Sequence, residues 1–219
     1  MKNINVYIFG TGGFAAEVTE YIRNNNSHSV EQNINIIGYF DINDNNYQKY
    51  KFTAPFLGDE RLFEFPKHSK AILAIGEHKI RDQILSHFEN NNTLEFINFI
   101  HHTCLISSST KLGKGNILCP YVIIGPNAIV GDHNIFNYYV ALPHDCELGN
   151  NNIFSPNVNI TGFTKIGNHN FFGTSCTTLP SISIGNNNKL QAGITLNKKI
   201  SDNNIVFSIN SIKTMPIYK

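Results

Sequence analysis

A six-residue apolar series runs from Ile106 to Leu196 and constrains the fold more than any other feature of the sequence. Fifteen of its sixteen members are apolar, whereas the overall apolar content of 41% would place roughly 7 there by chance. An α-helix repeats every 3.6 residues and a strand every 2, so a period of six indicates a short strand followed by a corner. The members are Ile106, Leu112, Leu118, Ile124, Val130, Phe136, Leu142, Leu148, Phe154, Ile160, Ile166, Phe172, Thr178, Ile184, Leu190 and Leu196.

A longer period of 18 residues is superimposed on this series. Glycine recurs at that interval from Gly113 to Gly185, and asparagine recurs from Asn116 to Asn188. Both residue types tolerate positive φ at low cost, so we expect them to mark one corner of a three-sided coil. Asparagine side chains stacked along that corner would form a ladder of amide hydrogen bonds. The two periods predict a parallel β-helix of about five coils over residues 103 to 203.

Residues 1 to 100 alternate between strand and helix patterns and predict a small Rossmann-like α/β domain. Strands are expected at 4–9, 35–41, 71–75 and 94–100, with helices at about 15–23 and 79–90. The turn Gly10, Thr11, Gly12, Gly13 leads into the first helix, whose N-terminus favours an anion. Asp41 ends the second strand, where a nucleotide-binding βαβ unit places a carboxylate for a ribose hydroxyl. A mononucleotide held as part of a nucleotide-sugar fits this short unit better than a dinucleotide, and a tight βα turn without a ligand remains an alternative.

Composition narrows the range of partners. The formal net charge is +1 and no basic run points to nucleic acid. The apolar runs fall far short of the ~20 residues of a membrane-spanning helix, and the first residues lack the pattern of a signal peptide. Four cysteines without a CxxC spacing are typical of buried, reduced thiols. We therefore expect a cytoplasmic protein that binds neither nucleic acid nor membrane.

The hexad that begins at Leu142 carries an unusual corner, Pro143, His144 and Asp145. A histidine on a tight corner can project its imidazole outward and accept a proton near neutral pH. An adjacent carboxylate can select the tautomer and stabilise the imidazolium. From these residues alone, a solvated corner histidine without a role remains an alternative.

The order of motifs resembles the bacterial nucleotide-amino-sugar acetyltransferases, which include the N-acetyltransferases of bacillosamine, perosamine and 4-amino-quinovose biosynthesis. The resemblance covers nearly the whole chain. It rests on Gly10-Thr-Gly-Gly-Phe-Ala, Phe40-Asp41, Ala74-Ile75-Gly76, Ile100-His101 and His144-Asp145-Cys146-Glu147-Leu148-Gly149.

This resemblance implies that residues 101–219 form a left-handed β-helix domain with a C-terminal tail over 205–219, and that the protein is a homotrimer with active sites between subunits. Acetyl-CoA would lie in the groove between two helices, with contacts near Gly162, Thr174 and Ala192 and no metal. The nucleotide of a UDP- or dTDP-linked amino sugar would sit on residues 10–13 and Asp41. His144 would act as general base on the sugar's 4-amino group, with Asp145 in support.

A backbone N–H near Gly162 or Gly173 is the expected oxyanion donor. Two departures from the family pattern stand out. Ile153 replaces a second histidine that relatives often carry near the coenzyme, and residues 208–213 replace a C-terminal Gly-x-Pro-Ala-Lys.

Three alternatives use the same repeat. An O-acetyltransferase acting on a sugar or serine hydroxyl would need the same histidine. A γ-type carbonic anhydrase would hold zinc on His133, His144 and His169, although their positions within the hexads differ. A non-catalytic ice-binding or scaffolding β-helix would not need residues 1–100.

Overall fold

The computed structural model describes residues 2–28, 32–89 and 93–209, so most of the C-terminal departure at 208–213 lies outside the described residues. The first part is a parallel sheet of four strands in the order β2-β1-β3-β4, flanked by helices. Helix α1 turns one apolar face inward through Ala15, Val18, Thr19 and Ile22, the spacing expected of a surface helix. The elements are β1 (Lys2–Phe9), α1 (Gly13–His28), β2 (Gln32–Phe40), α2 (Asn45–Tyr50), a 3-10 helix (Glu60–Leu62), β3 (Ser69–Leu73), α3 (His78–Phe88) and β4 (Leu94–Phe96).

The rest of the described chain is a left-handed parallel β-helix with three faces, as predicted. The long face is a seven-stranded sheet formed by Phe99–Ile100, Ile117–Leu118, Ile135–Phe136, Ile153–Phe154, Phe171–Phe172, Lys189–Leu190 and Ile205–Val206. The charged face consists of Lys111–Leu112, Ile129–Val130, Glu147–Leu148, Lys165–Ile166 and Ser183–Ile184. The divided face has two sheets, Leu105–Ile106, Ile123–Ile124 and Ala141–Leu142, then Thr177–Thr178 and Thr195–Leu196. Bridges through Asn159 join those two sheets.

The six-residue apolar series forms the core of the β-helix, which confirms the first prediction. Every member from Leu118 to Leu196 is buried, and only the two at the open N-terminal end are half-buried. Phe136, Phe154 and Phe172 stack along the axis with ring centroids 5.1 and 4.6 Å apart. Thr178, the polar member, is also buried, and its hydroxyl bonds the backbone N–H and the hydroxyl of Thr161.

The 18-residue period marks the corner between the charged and long faces, here called the asparagine corner (113–116, 131–134, 149–152, 167–170 and 185–188). Its buried asparagines form the predicted ladder; Asn152 Oδ1, for example, accepts from the backbone and side-chain nitrogens of Asn170 at 2.9 and 3.0 Å. The expectation of positive φ at the periodic glycines and asparagines was wrong. Positive φ falls instead on the residue before each asparagine, such as His133 and His169.

Close coil-to-coil stacking explains the periodic glycines instead. A Cβ on Gly131 would lie 2.2 Å from Asn150 Oδ1 and 2.7 Å from Gly149 O of the next coil. The sequence signal located the corner correctly, but steric exclusion between coils produces it.

The strand predicted at 94–100 is in fact two strands on different sheets. Leu94–Phe96 pairs with β3, whereas Phe99–Ile100 pairs with Ile117–Leu118 and opens the long face. Asn98 lies between them, and its Oδ1 accepts from Asn116 N at 2.8 Å. Asn98 stands 18 residues before Asn116, so it is the first step of the asparagine ladder and ends the α/β sheet.

The α/β part packs on the outside of the long face. Ile117, Ile135 and Ile153 point outward and share one apolar cluster with β1 and α1. Arg81, fully buried, joins the two parts: Nε donates to Asn151 Oδ1 at 2.8 Å and Nη2 to His133 O at 2.5 Å. Its Nη1 donates to Leu73 O, at the end of β3, and to Ile75 O, two residues further on. Burial lowers the pKa of Arg81 to about 10, which still leaves the guanidinium charged at neutral pH.

Candidate active site

The predicted histidine lies on the corner between the divided and charged faces, here called the histidine corner (107–110, 125–128, 143–146, 161–164 and 179–182). Asp145 has φ 56°, one of the left-handed residues that turn each coil. Gly125 lies directly beneath, where a Cβ would come within 2.6 Å of His144 N. The close approach of the two coils sets the backbone direction at His144, so the imidazole leaves the corner outward.

The His144 side chain is 52% exposed and does not enter the packed interior. Its Nδ1 lies 2.9 Å from Asp145 Oδ2, and the other carboxylate oxygen accepts from Asn127 Nδ2 at 3.1 Å. The hydrogen bond with His144, followed by that from Asn127, lowers the pKa of Asp145 below its usual value. Asp145 is therefore a carboxylate at neutral pH and favours the imidazole tautomer with the proton on Nδ1. The second ring nitrogen, Nε2, is left as the free acceptor.

Two residues of the next coil complete the surroundings of the imidazole. A Cβ on Gly162 would lie 2.6 Å from His144 Cε1 and 2.8 Å from Nε2, so the ring rests against bare backbone. Phe163 meets the same ring edge-on, with centroids 5.2 Å apart at 81°. Within the described residues, the Gly162 N–H has no hydrogen-bond acceptor. The corner thus combines an exposed base with an open backbone donor.

Sequence reasoning selected His144 and Asp145 but did not include Asn127 and Phe163, which the structure places beside them. The missing signal was the 18-residue coil length, because Asn127 precedes Asp145 by 18 residues and Phe163 follows it by 18. Residues separated by one full coil stack on each other, as the pairing of Ile129 with Glu147 and of Glu147 with Lys165 shows.

The other predicted coenzyme residues lie on a different edge. Thr174 and Ala192 are exposed and adjacent on the corner between the long and divided faces. The divided face separates them from Gly162, so one chain does not bring the three together. Gly173 is not an available oxyanion donor, because its N–H donates to Leu190 O at 2.9 Å inside the coil stack.

The glycine loop is brought together as predicted. Gly10 has φ +103°, and a Cβ there would lie 2.9 Å from Ala74 O, so only glycine fits. Asp41 Oδ2 accepts from Thr11 N at 3.0 Å and Thr11 Oγ1 at 2.7 Å. Gly12 faces open space and Gly13 begins α1, whose first turn has no acidic residue. Asp41 therefore orders the loop, and the nucleotide contacts expected of residues 10–13 and Asp41 stay a prediction.

Within one chain, the three histidines of the zinc alternative do not converge. His133 and His169 lie on the asparagine corner, whereas His144 lies across the charged face. His133 packs against Phe96, and burial lowers its pKa to about 4; His169 lies near Asp82, at 3.4 Å. In residues 2–28, 32–89 and 93–209 no three His, Cys, Asp or Glu side chains come close enough to share a metal ion.

The cysteines match the expectation of free thiols. Cys119, Cys146 and Cys176 are buried and Cys104 is half-buried. Burial raises the pKa of all four thiols, which disfavours a thiolate nucleophile. None of the helices in the described parts of the chain is both long and apolar enough to cross a membrane.

The chain is similar to one protein-family model and to several solved structures. Residues 5–88 match the family model of the PglD N-terminal domain. A search of curated protein sequences found no match. Among solved structures, PerB from Caulobacter crescentus in complex with CoA and GDP-perosamine is 24% identical, with a TM-score of 0.78 over 96% of this chain and 98% of that one.

Two further structures are similar over most of their length. The acetyltransferase domain of PglB from Neisseria gonorrhoeae FA1090 is 21% identical, with a TM-score of 0.76 over 90% of this chain and 93% of that one. WeeI from Acinetobacter baumannii AYE is 20% identical, with a TM-score of 0.75 over 94% and 97%. The predicted resemblance is thus confirmed at the level of the fold. The chain carries a segment similar to the PglD N-terminal domain and shares the α/β-plus-β-helix fold of these three solved structures.

Proposed function

We propose that the protein is an acetyl-CoA-dependent N-acetyltransferase that acts on the 4-amino group of a nucleotide-linked amino-deoxy sugar. The observation that carries the proposal is the exposed imidazole of His144, bonded through Nδ1 to Asp145 and resting on the bare backbone of Gly162. PglB, described as an acetyltransferase domain, and PerB, solved with CoA and GDP-perosamine, support it through their shared fold.

The chemistry follows from these groups. The neutral sugar amine attacks the thioester carbonyl, and the C–N bond forms as His144 Nε2 takes a proton from the amine. The Asp145 carboxylate stabilises the resulting imidazolium. The C–S bond then breaks, and the same proton passes to the leaving thiolate. The Gly162 N–H, which has no acceptor among the described residues, is the oxyanion donor that we assign.

The placement of the two half-sites favours a catalytic oligomer. The α/β part covers the long face, and the histidine corner is the vertex of the triangular prism opposite that face. Each face spans six residues, roughly 15–20 Å at strand spacing, so the interior of the coil lies between the glycine loop and His144. A sugar held by its nucleotide on one chain therefore needs His144 from another copy. A homotrimer with sites between subunits meets this need, and it would bring Gly162 of one copy near Thr174 and Ala192 of the next.

The test is thiol release from acetyl-CoA with a panel of UDP-, dTDP- and GDP-linked 3-amino and 4-amino sugars. The panel also includes the corresponding 4-hydroxy sugars and serine as hydroxyl acceptors. We expect turnover with a 4-amino sugar, with UDP and dTDP carriers preferred. Faster turnover of a hydroxyl acceptor would select the O-acetyltransferase alternative. No turnover with any amino sugar would refute the proposed function.

A further inference from the structure

A line of hydrogen bonds crosses three coils and ends at the histidine. Ser109 Oγ accepts from Asn127 N at 3.0 Å, and Asn127 Nδ2 donates to Asp145 Oδ1 at 3.1 Å. Asp145 Oδ2 faces His144 Nδ1 at 2.9 Å. Ser109, Asn127 and Asp145 stand 18 residues apart, so each is the same corner position in successive coils.

The Asp145 carboxylate needs an outside constraint to keep this orientation. Its backbone is held, because Asp145 N donates to Pro126 O at 2.9 Å and φ is 56°. Its carboxyl torsion is not held by the backbone, since rotation about an sp³–sp² bond is broad and roughly two-fold. The amide of Asn127 occupies one oxygen and directs the other toward His144.

The asparagine at 127 is not needed for the coil itself. Its backbone N–H bond to Ser109 remains with any non-proline residue, and the side chain is exposed. Its Nδ2 makes one hydrogen bond, to Asp145, within the described chain. Asn152 on the asparagine corner, by contrast, is buried and bonds both neighbouring coils.

We propose that Asn127 is a positioning residue for the histidine base. Its amide holds the Asp145 carboxylate so that the His144 proton stays on Nδ1 and Nε2 remains free to accept the proton of the sugar amine. This role rests on the proposed function for its effect on rate. Its effect on the imidazole tautomer does not depend on that function.

The experiment compares Asn127→Gly and Asn127→Asp with the wild-type oligomer. Glycine and aspartate both tolerate the φ of 58° at this position. Glycine removes the amide that donates to Asp145, and aspartate replaces that amide with a second carboxylate. Asn187→Gly is the matched control, because Asn187 has φ 57° and donates to Asn203 Oδ1 at 3.2 Å on the other corner. All three proteins are measured for thiol release, thermal unfolding and imidazole ¹⁵N chemical shifts without substrate.

We expect kcat to fall about tenfold in Asn127→Gly and further in Asn127→Asp, with KM within about twofold, because orientation of the base acts in the transition state. The ¹⁵N shifts of His144 should move from the Nδ1–H tautomer toward a mixture. Asn187→Gly should match wild type in kcat and in the ¹⁵N shifts of His144. Unchanged His144 shifts in Asn127→Gly would overturn the proposal. A changed tautomer in a protein without amino-sugar turnover would support the positioning role while refuting the proposed function.

Discussion

Two corners of the same β-helix use their residues in opposite ways. The asparagine corner repeats glycine and asparagine every 18 residues, and its periodic asparagine side chains are buried and bonded to neighbouring coils. The histidine corner changes from coil to coil, through Ser109, Asn127, Asp145 and Phe163 at one position, and several of these are exposed. Both corners have the same backbone turn, with positive φ at equivalent residues.

The comparison distinguishes the residues that coil stacking requires from the positions at which the coil accepts different residues. Stacking of identical coils requires a glycine where backbones touch and an amide where buried backbone groups need partners. The histidine corner is free of that ladder, so its residues can serve chemistry at the surface. The changing residues of the histidine corner are therefore compatible with the site proposed there.

The largest expected effect on stability is at the asparagine corner. Asn152→Ala removes the acceptor of Asn170 N and the donor to Gly167 O, both in the buried ladder. We expect the free energy of unfolding to fall by roughly 3–5 kcal/mol, since each buried polar group left unpaired costs about 1–3 kcal/mol. Chemical denaturation measures this. The matched exposed change, Asn127→Gly, should cost less than about 1 kcal/mol. Equal losses of unfolding free energy in Asn152→Ala and Asn127→Gly would show that the two corners contribute equally to stability.

Acid should weaken the asparagine corner through His133. Burial, and to a lesser extent the nearby Arg81, lowers the pKa of His133 to about 4, against roughly 6.5 in an unfolded chain. The unfolded chain therefore binds the proton first. The contribution of His133 to stability is complete above pH ~6.5 and is lost as the pH falls toward 4, at most about 3 kcal/mol.

His133→Asn tests this effect, because asparagine tolerates the φ of 58° at this position. We expect a shallower fall of stability between pH 6.5 and 4 than in wild type. Unfolding curves at each pH give the slope, and parallel slopes in the two proteins would contradict the burial argument.

Alanine substitutions at Gly149 and Gly162 should differ in their effects on stability and on rate, by smaller amounts than the changes above. A Cβ at Gly149 would lie 2.8 Å from Gly167 O, a backbone atom that cannot move, so Gly149→Ala should cost about 2 kcal/mol. A Cβ at Gly162 meets the His144 ring, an exposed side chain that can swing away. Gly162→Ala should therefore change stability by less than about 0.5 kcal/mol but lower thiol release about tenfold. Denaturation and rate measurements on both variants decide the point. Large destabilisation by Gly162→Ala would show that this corner is also structural.

Much of the fold was predictable because one coil repeats. The buried apolar series from Leu118 to Leu196 and the asparagine ladder follow from periods visible in the sequence. The reason for the periodic glycines was not predictable from local propensity, because the clash arises between coils. The strand at 94–100 was misjudged for the same reason. Asn98 bonds a residue 18 positions later, and local pattern does not record such a partner.

The candidate site was predictable at its centre and less so around it. His144 and Asp145 interrupt the repeat, so the sequence itself marks them. Asn127 and Phe163 look ordinary until the coil length is applied. Gly173 appeared available as an oxyanion donor, but its N–H is used within the stack. Thr174 and Gly162 lie on different edges because they occupy different corners of the coil. The folded structure is needed to see which residues share a corner.

The most direct test of the central idea compares two histidines that both lie beside a carboxylate. His144 is 2.9 Å from Asp145 on the histidine corner, and His169 is 3.4 Å from Asp82 on the asparagine corner. Thiol release from acetyl-CoA is measured with the best amino sugar for His144→Ala and for His169→Asn, with folding checked by thermal unfolding. We predict a fall of ~10²-fold or more for His144→Ala and a rate within about threefold of wild type for His169→Asn. An undiminished rate in His144→Ala, or an equal loss in both variants, would contradict the role of His144 as the base.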